Sequence, residues 1–590
     1  MPAGTPIQRS VWIAATAVVC VAGQNAYAQA VDSGALQRQQ QQLQTPPVQP
    51  PPAPAPEPSL QVPEAAAPSA VEPGQKLFVS GFKLSAPSPL ISEAELSGLL
   101  SEFSGREDSF AEIDQAATRV SDALRKRGYA FVRVLVPQQE VTDNVVALEI
   151  VPGRLSKLPD GKADITITRT GKVRLHDERA KAIVAAALAN PAGLTLPDVE
   201  RGMLLLNSQP GVQATGVLVP GVEPNALGLA LDLKEGPLFS GYLDLDNFGS
   251  RDTGPNRAVA DLRINDPGGY GDQAELNVAK TTGTTSTTAS YDAPLGVWGL
   301  HNHLSASLMQ YRLLKEFSKL DAKGGSSWYS DALNYLQLRT QNASFSWSGT
   351  LDFKKLHDSS AGVTITSRRS LALTGGARGS YQFADNKRFL DYAITLTVGD
   401  LNRGGNANDR AIDKLTRHTQ GIYEILRTNG SWLQQFSPRF SLSALGQAQL
   451  ASRNLDSSEK LYVGGPRGVR AYPIEEAGSD SGEIVNLEAR WAVVQTSRQD
   501  WTVFGLFDAG RAQLNQHEWA NWNAGNPSLS NSYLLKGYGV GLRAHLGRWV
   551  QLELVGARRL GSNPGASAAG LDADGRRVVN RFWLVSSVAF

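Results

Sequence analysis

From about residue 237 to Phe590 the sequence alternates apolar and polar residues with a period of two, and beyond residue 28 no apolar run approaches the roughly 18 residues of a helical membrane span. In Phe239 to Asn247, the apolar Phe239, Leu243 and Leu245 alternate with Ser240, Tyr242, Asp244 and Asp246. In Val485 to Val493, the apolar Val485, Leu487, Ala489, Trp491 and Val493 alternate with Asn486, Glu488, Arg490 and Ala492, and Tyr538 to Leu546 repeats the pattern. A strand built this way has one greasy and one polar face, which suits a soluble sandwich or a membrane barrel equally. Strand count and loop length separate the two. About sixteen segments of roughly ten residues fit the sequence, the length a tilted membrane strand needs. Long connections (315–330, 399–415, 453–483, 512–536, 561–577) contrast with short turns (267–271, 496–500, 546–549), as in a barrel with one elaborated rim. If this chain crosses a membrane, it crosses as a closed barrel, because only that form leaves no strand edge unpaired in lipid.

The N-terminal part has a different composition. Residues 1–28 read as a secretory signal, with Arg9 ahead of the apolar run Val11 to Ala22 and a small-x-small site at Ala26-Tyr27-Ala28. Cys20 is the only cysteine of the 590 residues and lies inside that signal, so neither a disulfide nor a cysteine-held metal is expected in the exported chain. The formal net charge of +1 lacks the basic excess of a nucleic-acid binder, and no nucleic-acid partner is expected. Residues 29–45 include Leu36 to Gln44, good helix formers with almost no apolar face: either a disordered polar tail or a helix lodged in a wet cavity. Residues 46–75 are rich in proline and alanine, an extended linker.

Two similar units follow. Residues 76–154 read as strand 77–84, helices 92–103 and 110–127, and strands 129–136 and 145–151, with Ser92 and Glu95 as a capping box. Residues 155–236 repeat the βααββ order, with strand 163–168, helices 177–189 and 197–207, and strands 212–219 and 226–233. This arrangement resembles the POTRA (polypeptide-transport-associated) domain. Leu148-Glu149-Ile150-Val151-Pro152-Gly153-Arg154 resembles the end of the first such domain in two-partner secretion transporters.

The loop Gly464-Gly465-Pro466-Arg467-Gly468-Val469-Arg470-Ala471-Tyr472-Pro473 is compact in composition and carries two arginines. Arginine is the side chain best suited to a forked bond with a buried carboxylate. Asp508 lies on a strand where Val503, Gly505, Phe507 and Ala509 face one way and the aspartate the other. An Arg470 to Asp508 bond is expected if the loop folds inward; a surface hairpin with a solvated arginine is the alternative. At the C-terminus, Phe582, Leu584, Val588 and Phe590 share one face.

Taken together these segments resemble the TpsB transporters, the haemolysin secretion and activation family within the BamA-like barrel superfamily. The resemblance rests on Asp246-Asn247-Phe248-Gly249-Ser250-Arg251-Asp252-Thr253-Gly254, on Val469-Arg470-Ala471-Tyr472 and on Leu506-Phe507-Asp508 with Ala509-Gly510. It implies a plug helix, a linker, two POTRA domains and an outer-membrane barrel of about sixteen antiparallel strands whose sixth outer loop enters the lumen. Val469, Arg470, Tyr472 and Asp508 would form the functional loop and its strand partner, and Phe590 the assembly signal. The implied partners are a secreted TpsA-like β-helical exoprotein with an N-terminal secretion domain, outer-membrane lipid, periplasmic chaperones and the barrel-assembly machinery. Two positions depart from the family pattern: Ala471 replaces a usual glycine, which puts a positive φ there in question, and Leu506 replaces a usual phenylalanine or glycine.

No catalytic residue, cofactor or metal site is expected. His301 and His303 would face the same way on a strand but lack a recognisable third ligand, no nucleophile elbow is evident, and no phosphate-binding Gly-Lys-Ser or Gly-Lys-Thr occurs. The rival readings are a barrel-assembly protein of the same superfamily and a passive porin; the former usually has more POTRA units and no plug, and the latter has no use for two adaptor domains.

Overall fold

In a computed structural model, residues 31–44, 76–223 and 226–590 are described. The expected signal and linker lie outside them. Sixteen antiparallel strands, from Phe239–Asp246 through Asn580–Ala589, close into one barrel. The expected alternation sets its two faces. Leu245, Val540 and Phe582 stand outward, more than 60% exposed, whereas Asn486, Glu488, Arg490 and Asp508 turn inward and are buried. In water, each outward leucine would forgo on the order of 1.5–3 kcal/mol of burial; lipid removes that penalty. No helix among the described residues is long and apolar enough to cross a membrane.

The strands differ from the expected uniform ten residues. Val363–Gln382 is 20 residues long and Ala343–Ser360 is 18, so several expected loop residues, such as 323–330 and 399–402, continue as strand. The ladder runs past the height of a bilayer because neighbouring strands still supply hydrogen-bond partners there. The barrel closes on a short seam, with five paired residues from Val585↔Asp246 to Ala589↔Tyr242.

Among the described residues there are six α-helices: α1 (Ser33–Leu43), α2 (Glu93–Leu99), α3 (Phe110–Lys126), α4 (Asp177–Leu188), α5 (Leu196–Asn207) and α6 (Ala407–Leu415). In the first mixed unit, α2 and α3 lie where helices were expected, but the strand expected at 77–84 divides at Ser80. Its first half, Lys76–Val79, pairs antiparallel with Arg106–Ser109, while Gly81–Leu84 pairs parallel with Val145–Val151. The division leaves Ser80 bonded to the Asn144 carbonyl at 2.7 Å. Only half of the expected capping box forms at Ser92, which accepts from the Glu95 amide at 3.3 Å while the Glu95 carboxylate turns to Arg127. Complete boxes close α3, through Ser109 and Glu112, and α5, through Thr195 and Asp198.

The second unit follows its expected order, with the sheet Ile165–Thr170, Leu227–Glu235, Val212–Pro220 covered by α4 and α5. It docks on the short-turn end of the barrel. Arg201 Nη1 donates to the Gln337 carbonyl at 2.9 Å, the Gln341 amide to Glu200 at 2.6 Å, and the His176 amide to the Gly269 carbonyl at 2.9 Å.

Candidate functional site in the barrel lumen

The segment 452–480 joins strands Phe440–Ala451 and Ser481–Gln495 and folds back into the barrel, where a two-residue pairing of Leu461–Tyr462 with Gly478–Ser479 gives it a waist. Its turn needs glycine for two different reasons. Gly465 adopts a φ of 101°, whereas at Gly468 a Cβ would meet the Val463 carbonyl oxygen at 2.2 Å. Ala471 has no positive φ, so the departure from the family pattern carries no backbone strain. Its methyl instead occupies the space above Gly537, where an added Cβ would meet it at 2.6 Å.

Arg470 reaches the strand Gln499–Gln513 as expected. Its Nε and Nη2 donate to the two oxygens of Asp508 at 2.9 and 2.8 Å, and its own backbone N–H donates to Asp508 Oδ2 at 3.0 Å. Asp508 is fully buried and also accepts from Asn486 Nδ2 at 2.8 Å. Val469 and Tyr472 are buried beside it in the cluster of Val463, Ile484 and Leu535. Two partners were not anticipated: Arg470 Nη1 donates to Glu488 at 2.6 Å, and Trp583 Nε1 on the last strand donates to the Arg470 carbonyl at 2.7 Å. Glu488 was visible in the sequence as one of the polar alternates, with Asn486 and Arg490, and nothing in spacing alone paired it with a loop 18 residues upstream.

Helix α1 lies inside the barrel against the inner faces of strands Leu300–Arg312, Lys323–Arg339 and Ala343–Ser360. Its composition fits a polar cavity, so of the two sequence alternatives the lodged helix is the one observed. Leu36 packs on Met309 and Tyr311 near one end, and Leu43 on the cluster of Phe248, Phe504 and Trp583 at the other. Between them the contacts are polar: Arg38 donates to the Lys460 carbonyl at 3.0 Å, and Gln42 exchanges hydrogen bonds with the Tyr462 backbone at 3.3 and 3.2 Å. Gly34 lets the helix touch the inward segment directly, since a Cβ there would lie 2.5 Å from Ser457 Oγ and 2.9 Å from the Ser458 amide.

The N-cap of α1 is Asp32, whose carboxylate accepts from the Ala35 amide at 2.8 Å and from Ser457 Oγ at 2.7 Å. It also meets Arg368 Nη2 at 3.2 Å. Arg368 is buried and bonds Asp358 at 2.9 Å and Asp456 at 2.7 Å. The same oxygen of Asp456 accepts from Arg403 at 3.0 Å, and Arg403 in turn holds Asp409 of α6 at 2.7 Å. A continuous chain of ion pairs, part-buried at Asp32 and buried beyond it, thus joins the helix in the lumen to a helix at the long-loop rim.

At that rim, Glu475 and Glu476 of the inward segment are buried, and burial raises both carboxyls to about 7, with Asp252 and Asp574 adding to the shift of the first and Asp572 to that of the second. Glu476 accepts from the Ala573 amide at 3.0 Å. His301 and His303 do share a face, with Nδ1 atoms 2.7 and 3.7 Å from Asp292, and no group of three metal-ligating residues occurs among the described residues. Phe590 stands outward, its backbone exchanging hydrogen bonds with Gly241 at 3.1 and 3.0 Å.

Comparison with known proteins follows this geometry. Residues 228–544 match the model of the haemolysin secretion/activation protein family ShlB/FhaC/HecB, and residues 77–153 match the ShlB-type POTRA domain. The chain is 23% identical over 76% of its length, and 77% of the relative's, to the heme/hemopexin transporter protein HuxB of Haemophilus influenzae strain 86-028NP. It is 22% identical over 69% of its length, and 71% of the relative's, to the outer membrane transporter CdiB of Dickeya dadantii strain 3937. The solved structure of CdiB from Escherichia coli superposes with a TM-score of 0.68 at 18% identity over 100% of both chains. That of CdiB from Acinetobacter baumannii superposes with a TM-score of 0.62 at 18% identity over 88% of this chain and 91% of that one. With its family model covering more than half of the sequence, the chain belongs to the haemolysin secretion/activation family of two-partner secretion transporters, an outer-membrane β-barrel with POTRA structure on the periplasmic side.

Proposed function

We propose that this protein carries an unfolded exoprotein through its barrel to the cell surface without ATP, with α1 as the plug that vacates the lumen. The observation that carries this reading is the mode in which α1 is held. It touches the barrel mainly through hydrogen bonds and ion pairs with only its two leucines in apolar clusters, so water or a passing chain can replace most of its contacts. A structural helix would bury an apolar stripe. The polar inner faces suit an extended polypeptide whose side chains vary, and the residues 155–236, read as a second POTRA domain, and 76–154 would receive that segment by adding its backbone to an open sheet edge. The sheets leave such edges at Gly81–Leu84 and Val212–Pro220. Residues 46–75 would tether the plug during its excursion, Phe590 would serve assembly of the barrel, and folding of the cargo outside would make passage irreversible. Arg470 and Asp508 would hold the inward segment in one of its positions.

The test is paired. Purified full-length protein in a planar bilayer conducts weakly, and a variant lacking residues 30–45 conducts strongly; equal conductance of the two would remove the plug from the account. Co-expression with a large exported β-repeat protein encoded nearby should place that protein at the surface or in the medium, and its retention in the periplasm in the presence of a correctly inserted barrel would sink the transport reading.

A further inference from the structure

We infer that the outer wall of the barrel over the strands Gln499–Gln513, Ser532–Leu546 and Val550–Arg559 binds the phosphorylated headgroup of an outer-leaflet lipid. Arg511, Lys536 and Arg558 stand on these three adjacent strands and are exposed. All three point outward. Arg511 is the register partner of Leu534 and Lys536 that of Ala509, while Arg558 is the partner of Tyr538, so the bases share the face of the lipid-exposed Leu534 and Tyr538. From one strand to the next each base sits two positions nearer the periplasmic end than the direct partner of the last, a diagonal that follows the tilt of strands in a closed barrel.

Their level on the wall identifies the ligand. On the same faces, toward the periplasm, come Val503 and Phe507, then Tyr538 and Val540, then Leu554, the apolar band that meets acyl chains. The bases therefore lie at the long-loop edge of that band, interleaved with the exposed Leu534 and Leu560, where outer-leaflet headgroups meet the acyl chains. Among the described residues none of the three has a carboxylate within ion-pair distance; the nearest in register is Glu483, opposite Arg511, and the one side-chain bond they make there is Arg511 Nε to Ser532 Oγ at 3.4 Å. Three cations of one sign in a row repel one another unless an anion lies between them, and phosphate supplies two charges with oxygens spaced for guanidinium and ammonium donors. A lipid phosphate is favoured over a free one because the same ligand gains from acyl chains against the apolar faces directly below.

The probe is a bisphosphorylated glucosamine-disaccharide lipid added to the full-length protein in neutral detergent, with its dephosphorylated counterpart and inorganic phosphate as comparisons. Binding is read by native mass spectrometry and by the shift in thermal midpoint. The phosphorylated lipid should stay bound and raise the midpoint, and its affinity should fall about fivefold for each charge removed in R511Q, K536Q and R558Q, with a steep dependence on salt. Each variant is first checked for folding by heat-modifiable migration, and the single variants serve if the triple one does not assemble. Arg410→Gln, on the exposed face of α6, should bind as the parent does. Equal binding of the dephosphorylated lipid, equal stabilisation by inorganic phosphate, undiminished binding by the variants, or the same loss in Arg410→Gln would each overturn the assignment.

Discussion

Replacing Arg470 by alanine removes three charge-assisted hydrogen bonds in a buried setting, two to Asp508 and one to Glu488. The two carboxylates fare differently. Glu488 keeps Arg490 at 2.8 Å, whereas Asp508 keeps only the Arg470 backbone N–H and Asn486. The substitution thus strands one buried carboxylate, for which breaking a buried pair costs about 3–5 kcal/mol. That shifts the equilibrium constant favouring the inward-held segment by roughly two to four orders of magnitude. Arg470→Lys should lose less, because one ammonium reaches one carboxylate but cannot fork across two oxygens. Combining Arg470→Ala with Asp508→Asn should cost less than the sum of the two, since a neutral amide carries no stranded charge. The assay is a disulfide between cysteines placed at Arg467 and Gln447, whose Nε2 donates to the Arg467 carbonyl at 3.2 Å, in a Cys20→Ser background that has no other thiol. Cross-link yield should fall in Arg470→Ala, fall less in Arg470→Lys and partly recover in the double variant. Unchanged yield in Arg470→Ala, or losses in the double variant that simply add, would refute the reasoning.

Three further outcomes follow from the geometry. Gly34→Ala drives a methyl into Ser457 and Ser458, an overpacking of about 1–3 kcal/mol, and should raise bilayer conductance toward that of the variant lacking residues 30–45. Because Glu475 and Glu476 have folded values raised to about 7 from 4.5, the native state holds extra protons between those values, so packing of the segment 473–477 should weaken as pH rises from about 4.5 to about 7. Hydrogen exchange in 473–477 should quicken over that window, and Glu475→Gln with Glu476→Gln should flatten the dependence. Trp583→Phe removes the bond to the Arg470 carbonyl and should destabilise the inward state by about 1 kcal/mol, seen as a modest loss of the same cross-link.

How far the sequence reached depended on whether the signal was local. Period-two alternation in Phe239–Asp246 and Ser481–Gln495 followed from one face meeting lipid, and it gave strands, faces and the inward direction of Asp508 without any partner being known. Helix α6 was missed inside an expected loop: the nine residues of Ala407–Leu415 are too few for a periodic pattern, though Asn406 ahead of Asp409 is a cap signal. Arg106–Ser109 was missed because Arg-Glu-Asp-Ser has little strand propensity and pairs only by tertiary context. The anchors of α1 were beyond reach. Asp32 finds Arg368 across 336 positions, and nothing in either neighbourhood marks the other.

Asp456 has one oxygen between two masters. It answers through Arg368 to the tenant of the lumen and through Arg403 to α6 at the surface, so neither can change its grip without altering the field felt by the other. Were α1 to leave the lumen, Asp32 would leave with it and Arg368 would keep only Asp358 and Asp456 as ion-pair partners. Arg403, which shares that oxygen with Arg368, would then lean further on Asp409 and Asp413. The outer rim would thereby register, by electrostatics alone, whether the helix is in the lumen.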